Sequence, residues 1–161
     1  SLCLLLHESP KSLIKAFNES TNSASGIIMQ FPLYAGIMGM MTASGLVGII
    51  ASFFVSISTA DTYPILTFLS AGLVNIFVPS GGGQWAVQGP IMIEAAKALS
   101  VDFARTVIAV SWGDVWTNLI QPFWVLPIVG LMGGKARDYL GYTAVLLLIS
   151  GAWIILMLAI L

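Results

Sequence analysis

Charge is the scarcest property of this sequence. Six basic and seven acidic residues are spread over 161 positions, 58% of positions are hydrophobic, and the mean hydropathy is +0.96. A soluble domain carries roughly a quarter charged residues to coat its surface. At 8% charged, this chain cannot turn all its faces to water. A net charge of −1 gives no basic surface for nucleic acid. The single cysteine, Cys3, excludes an internal disulfide and says nothing about redox compartment. The single histidine, His7, stands at the start of the chain, far from the polar interruptions described below, which argues against a Ser–His hydrolase. His7-Glu8 opens like a zincin helix, but the second histidine is missing. Gly130 to Lys135 fails the spacing of a P-loop, and Ala136 stands where that loop needs Ser or Thr. There is no Gly-x-Ser-x-Gly elbow. The reading is of a protein that is not an enzyme and has no resident cofactor or metal.

Long uncharged stretches take the place of charge. Residues 20–60, 62–93, 115–134 and 139–161 carry none. Each holds a span of about 20 residues, and several in one chain exclude a lone anchor. The expected fold is an all-α polytopic membrane protein. The apolar run at residues 2–6 is too short for a signal peptide and lacks its basic start. It reads as the tail of an earlier segment, so the chain is expected to be a piece of a longer polypeptide.

Residues 1–25 read as a polar loop, with room for a short amphipathic helix over 12–18. Residues 26–57 read as a first span that tilts or ends in an interfacial turn. Gly36, Gly39, Gly45 and Gly48 leave smooth faces there for helix packing. The apolar arm after Pro64 reaches only about 22 Å over its roughly 15 residues, short of a crossing. Pro79 to Gln84 then forms a Gly-rich break, and a second short arm runs to Leu99. Residues 64–99 are therefore a re-entrant hairpin or a broken spanning helix. Residues 103–132 are interrupted between Gly113 and Pro122. Residues 139–161 make the last span, with Tyr139 and Tyr142 at its interface end. Lys11, Lys15, Lys135 and Arg137 share one side if the hairpin re-enters, against Lys97 and Arg105. A crossing hairpin gives the same bias with other partners, so the short arms rather than the charges favour the re-entrant form.

Irregular backbone at membrane depth survives only inside protein or beside a wet cavity, and paired breaks point to a transporter's binding site. The first break holds Ser80, Gly81, Gly82, Gly83 and Gln84, with Asn75 and Gln88 nearby. Exposed N–H groups at the start of the second arm, with its helix dipole, favour an anion, and the glycines let a ligand touch backbone. The second break holds Asp114, Thr117, Asn118 and Gln121. Their oxygens suit a coupling sodium ion or a proton relay. Asp114 is the strongest single residue, because an ionisable group within a span is costly; its plainer reading is a helix cap or a partner for a lysine. Glu94 and Lys97 read as an interfacial pair. Trp85 and Trp116 are candidates to wall an apolar acyl pocket, or simply to pack.

The run VNIFVPSGGGQWAVQGPIM at 74–92, with QFPLYAGIMG at 30–39 and WGDVWTNLIQP at 112–122, resembles the bacterial short-chain fatty acid transporters, carriers of butyrate and acetoacetate. The resemblance covers most of the chain from about Gly26. More loosely, the paired breaks are similar to those of the ion transporter superfamily, which includes C4-dicarboxylate carriers and divalent anion–sodium symporters. That resemblance implies one of two inverted repeats, with 64–99 as its hairpin and 103–132 as its broken helix. The chain departs from the symporters' Ser-Asn-Thr tip, having Ser80-Gly81-Gly82 instead.

The expectation is thus the C-terminal repeat of a multi-pass inner-membrane carrier that moves a short-chain monocarboxylate by proton or sodium symport. Asn75, Ser80, Gly81, Gly82, Gly83, Gln84 and Gln88 would bind substrate. Asp114, Thr117, Asn118 and Gln121 would serve the coupling ion or proton. Its partners would be the carboxylate, the lipid bilayer, the missing N-terminal repeat and, in a homodimer, a second copy. A channel and a non-transporting membrane subunit are the rival readings.

Overall fold

The computed structural model describes residues 6–7 and 9–160; Cys3 and most of the run at residues 2–6 lie outside them. Seven helices and no strand occupy the described residues: α1 Pro10–Ala43, α2 Leu46–Ser56, α3 Tyr63–Phe77, α4 Gly81–Leu99, α5 Phe103–Thr117, α6 Pro122–Met132 and α7 Ala136–Ile160.

The expected polar loop is instead helical from Pro10 onward. Ser9 caps α1 by accepting from the Ser12 N–H at 3.2 Å, and Pro10 occupies a first-turn position where its missing N–H costs nothing. Thr21 and Ser25 donate to carbonyls of their own helix, at 2.9 Å to Phe17 and 2.8 Å to Asn22, so the polar stretch satisfies itself without unwinding. The expected single span over 26–57 is two helices. Gly45 adopts φ +74°, a left-handed turn that few side chains tolerate, and α2 leaves at 59° to the apolar part of α1. That bent pair qualifies as one crossing, while α7 is long and apolar enough to cross alone.

Helices α3 and α4 form an antiparallel hairpin. The Tyr63 hydroxyl donates to the Met92 carbonyl at its base, the Gln88 amide to Ser70 Oγ midway, and the Gln84 amide to the Ala71 carbonyl near its tip. Helix α5 runs parallel to α3 in the most extensive contact of the fold. The approach is close because Gly113 lacks a side chain: a Cβ there would lie 2.7 Å from the Cβ of Ala71 and 2.9 Å from the Gly72 nitrogen. The glycines singled out along α1 do not play this part, since a Cβ at Gly36 or Gly39 would meet nothing within 4 Å.

The end of α1 and the start of α2 cover another flank of the hairpin, where Met41 and Val47 cluster with Val74 and Val78. Helix α7 docks on α5, with the Trp116 indole donating to the Leu147 carbonyl at 2.8 Å. Arg105 donates to the Leu158 carbonyl at 3.1 Å, tying the start of α5 to the end of α7. The hairpin base, the start of α5 and the end of α7 therefore share one end of the bundle. Elsewhere α7 is buried only at Gly151 and Leu158, and Leu146, Leu148, Ile149 and Trp153 stand exposed. Such a face belongs against lipid or another apolar surface.

Two chain breaks packed together

The first break is shorter than its glycines imply. Gly81, Gly82 and Gly83 are helical and form the opening turn of α4, leaving only Val78 to Ser80 outside a helix. Ser80 is extended (φ −152°, ψ 100°), and its Oγ accepts from the Gly83 N–H at 3.2 Å. A glycine costs about 1 kcal/mol inside a helix. A serine cap returns a similar amount at the N-terminus, which is why the run starts a helix rather than a loop. The second break is Asn118 to Gln121, so Asp114 and Thr117 lie within α5.

The fold brings the two breaks into contact. The Asn75 amide, near the end of α3, donates to the Asp114 carbonyl at 2.6 Å, to Asn118 Oδ1 at 2.8 Å and to Thr117 Oγ1 at 3.0 Å. The Thr117 hydroxyl donates to the Gly72 carbonyl at 3.0 Å. The Gln121 amide donates to the Asn75 carbonyl at 2.6 Å, satisfying a backbone group that the end of α3 leaves open. Gln84 donates to the Ala71 carbonyl and to Gln88 Oε1, both at 2.9 Å. Asn75, Thr117, Gln121, Gln84 and Gln88 are all buried, and their donors are occupied in joining helices. The oxygens Asn75 Oδ1, Gln84 Oε1 and Gln121 Oε1 are buried and have no donor among the described residues. Neutral amide oxygens of this kind accept from water or coordinate a hard cation.

Asp114 points elsewhere. Its carboxylate faces the first turn of α4, where a Cβ at Gly81 would lie 3.4 Å from Oδ2. The two residues line a cavity of about 300 Å³ together with Gln84, Trp85, Val107 and Ser111. The start of α4 thus has a carboxylate beside it, as its dipole favours. Gly82 faces open space. Trp85 walls this cavity, whereas Trp116 packs on Phe68 with ring centroids 4.7 Å apart and is tied to α7. The Glu94–Lys97 pair does not form among the described residues; the Lys97 ammonium lies 6.0 Å over the Phe103 ring centroid. Ser111, Ser70 and Gly113 also shape the site, although no motif marks them. Ser111 stands three residues before Asp114, a helical spacing that marks it as a neighbour.

The short-chain fatty acid transporter family model matches residues 1–161. A protein of Escherichia coli (strain K12), provisionally named a short-chain fatty acid transporter, is 47% identical over 148 residues. Those residues are 92% of this chain and 34% of that protein. A protein of Haemophilus influenzae with the same provisional name is 45% identical over 139 residues, 86% of this chain and 31% of that protein. The chain spans about a third of the length of these relatives. No solved structure matches it. Its sequence, its helices and its apolar faces agree with that match: the chain belongs to the short-chain fatty acid transporter family, a family of membrane proteins.

Proposed function

We propose that the full protein carrying this chain is a multi-pass inner-membrane symporter that moves a short-chain monocarboxylate, such as butyrate or acetoacetate, by alternating access. In this reading α1 and α2 make one bent span, α3 and α4 a re-entrant hairpin, α5 and α6 a broken helix, and α7 the last span. The names of the relatives support the substrate class, and the two apposed breaks support a binding site at mid-membrane.

The observation that carries the mechanism is the position of Asp114 against Gly81. The substrate carboxylate would settle on Ser80 and the opening turn of α4, where Gly82 leaves room. Two carboxylates at one helix terminus repel each other strongly in a low-dielectric site. Substrate therefore binds when Asp114 is protonated, or when a sodium ion held by Asp114 and Gln84 Oε1 balances the charge. Either route couples anion uptake to a cation. Asn75, Thr117, Asn118 and Gln121 would keep the breaks in register. The remaining two-thirds of the polypeptide would supply the second repeat and the other half of the site.

The test is uptake of labelled butyrate into proteoliposomes by the full-length protein under imposed proton or sodium gradients. Accumulation against a concentration gradient supports the symporter. Butyrate flux that only equilibrates and never saturates supports a channel, and absence of flux for all small carboxylates removes the substrate assignment.

A further inference from the structure

A second cavity, of about 310 Å³, lies on the α1 side of the hairpin tip. Ser80 lines this one, while its neighbour Gly81 lines the Asp114 cavity, so the tip is the wall between them. The α1 side is aromatic. Phe31 and Tyr34 pack on Phe123 of α6 with ring centroids 4.9 and 5.1 Å apart, and Gln30 fixes the two helices by donating to the Pro122 carbonyl at 3.2 Å. Met38 closes the cavity against the tip; a Cβ at Gly83 would lie 3.5 Å from its sulfur.

The space has a cause in the sequence. Phe31, Tyr34, Ala35 and Met38 are spaced i, i+3, i+4 and i+7, so they share one face of α1. Three are large, and Ala35 is the gap among them. The lining is apolar except at Tyr34 and Ser80. A hydrocarbon tail fits such a wall, and the capped start of α4 stands at the polar end. The volume sits at the small end of ligand sites, which suits a few methylenes.

We infer that this cavity holds the hydrocarbon tail of the transported acid and that Ala35 sets the accepted chain length. The inference rests on the carboxylate reading above. The carboxylate stays at Ser80, beside Met38, and the tail lies along Ala35 toward Phe31 and Phe123, leaving the Asp114 cavity to the coupling ion. Each methylene that fits raises apparent affinity about fourfold; one that does not fit meets the Phe31–Phe123 wall. Ala35 is exposed among the described residues.

The experiment is competition by acetate, propionate, butyrate, valerate and hexanoate against labelled-acid uptake by the full-length protein. It compares the unaltered protein with Ala35→Leu, Ala35→Phe and Phe31→Ala. The expected result is an optimum that moves to shorter acids in both Ala35 variants, with butyrate losing at least tenfold relative to acetate. Phe31→Ala is expected to move the optimum to longer acids. An unchanged chain-length profile in variants that still transport overturns the inference and leaves the carboxylate reading intact. A uniform loss across all acids in the Ala35 variants, with an unmoved profile in Phe31→Ala, also overturns it. Absence of carboxylate uptake by the unaltered protein removes both readings.

Discussion

The carboxylate of Asp114 lies against the backbone of Gly81, so that a Cβ on Gly81 would sit 3.4 Å from Oδ2. The contact joins the interior of α5 to the first turn of α4 across 33 residues of chain. It places the charge of α5 where the N–H groups of α4 converge.

That contact sets the sign of the pH dependence. Protonation removes the charge that competes with a substrate anion, so uptake by the full-length protein should rise as external pH falls and decline as Asp114 ionises. In Asp114→Asn the neutral amide cannot load or release the proton. Gradient-driven butyrate accumulation is expected to fall at least tenfold, while exchange of labelled for unlabelled butyrate continues with a flat pH profile. Proton-driven accumulation that survives in Asp114→Asn would remove this residue from the coupling step.

Gly113→Ala should loosen the contact between α3 and α5. The added methyl would lie under 3 Å from both Ala71 and Gly72, and neither is the end of a flexible side chain. Overpacking of this kind costs about 1–3 kcal/mol. A lowered melting temperature of the detergent-purified full-length protein checks it. An unchanged melting temperature would mean that α3 and α5 are farther apart than described.

Asn75→Leu removes the donor that reaches Asp114, Thr117 and Asn118 at once. Hydrogen bonds between membrane helices average only about 0.6 kcal/mol each, but acceptors left buried without a donor cost about 1–3 kcal/mol. The expected outcome is lower stability together with lower uptake of every acid, because the two breaks lose their register. Reduced affinity for one acid alone, at full stability, would make Asn75 a substrate ligand instead.

Trp116→Phe separates packing from binding. The substitution keeps a ring against Phe68 and deletes the indole donor to Leu147. A stability loss of about 1 kcal/mol is expected, with the chain-length profile of uptake unmoved. A changed profile would return Trp116 to the wall of an acyl pocket.

Much of this protein is legible in local pattern. The uncharged stretches mark a membrane protein, and the interruptions after Val78 and Thr117 are visible because proline, glycine and amides crowd there. The extent of the breaks was not legible. Glycine counts as a helix breaker by propensity, yet Ser80 caps Gly81 to Gly83 into a helix. The polar stretch before Gly26 reads as a loop because it is polar and charged, yet Thr21 and Ser25 bond back to their own helix. The roles of Asn75, Thr117 and Gln121 were hidden for another reason: their partners across the helices lie 39 to 46 residues away along the chain.

The sequence by itself determined the solvent this chain is built for, the family to which it belongs and the neighbourhoods of the two breaks. Those follow from composition, from length and from residues a few positions apart. Only the tertiary structure decided which breaks meet, which amides are occupied in joining helices and which carboxylate is left facing a cavity. A side chain such as Asn75 can bind substrate or bind its own protein, and the choice depends on what folds against it.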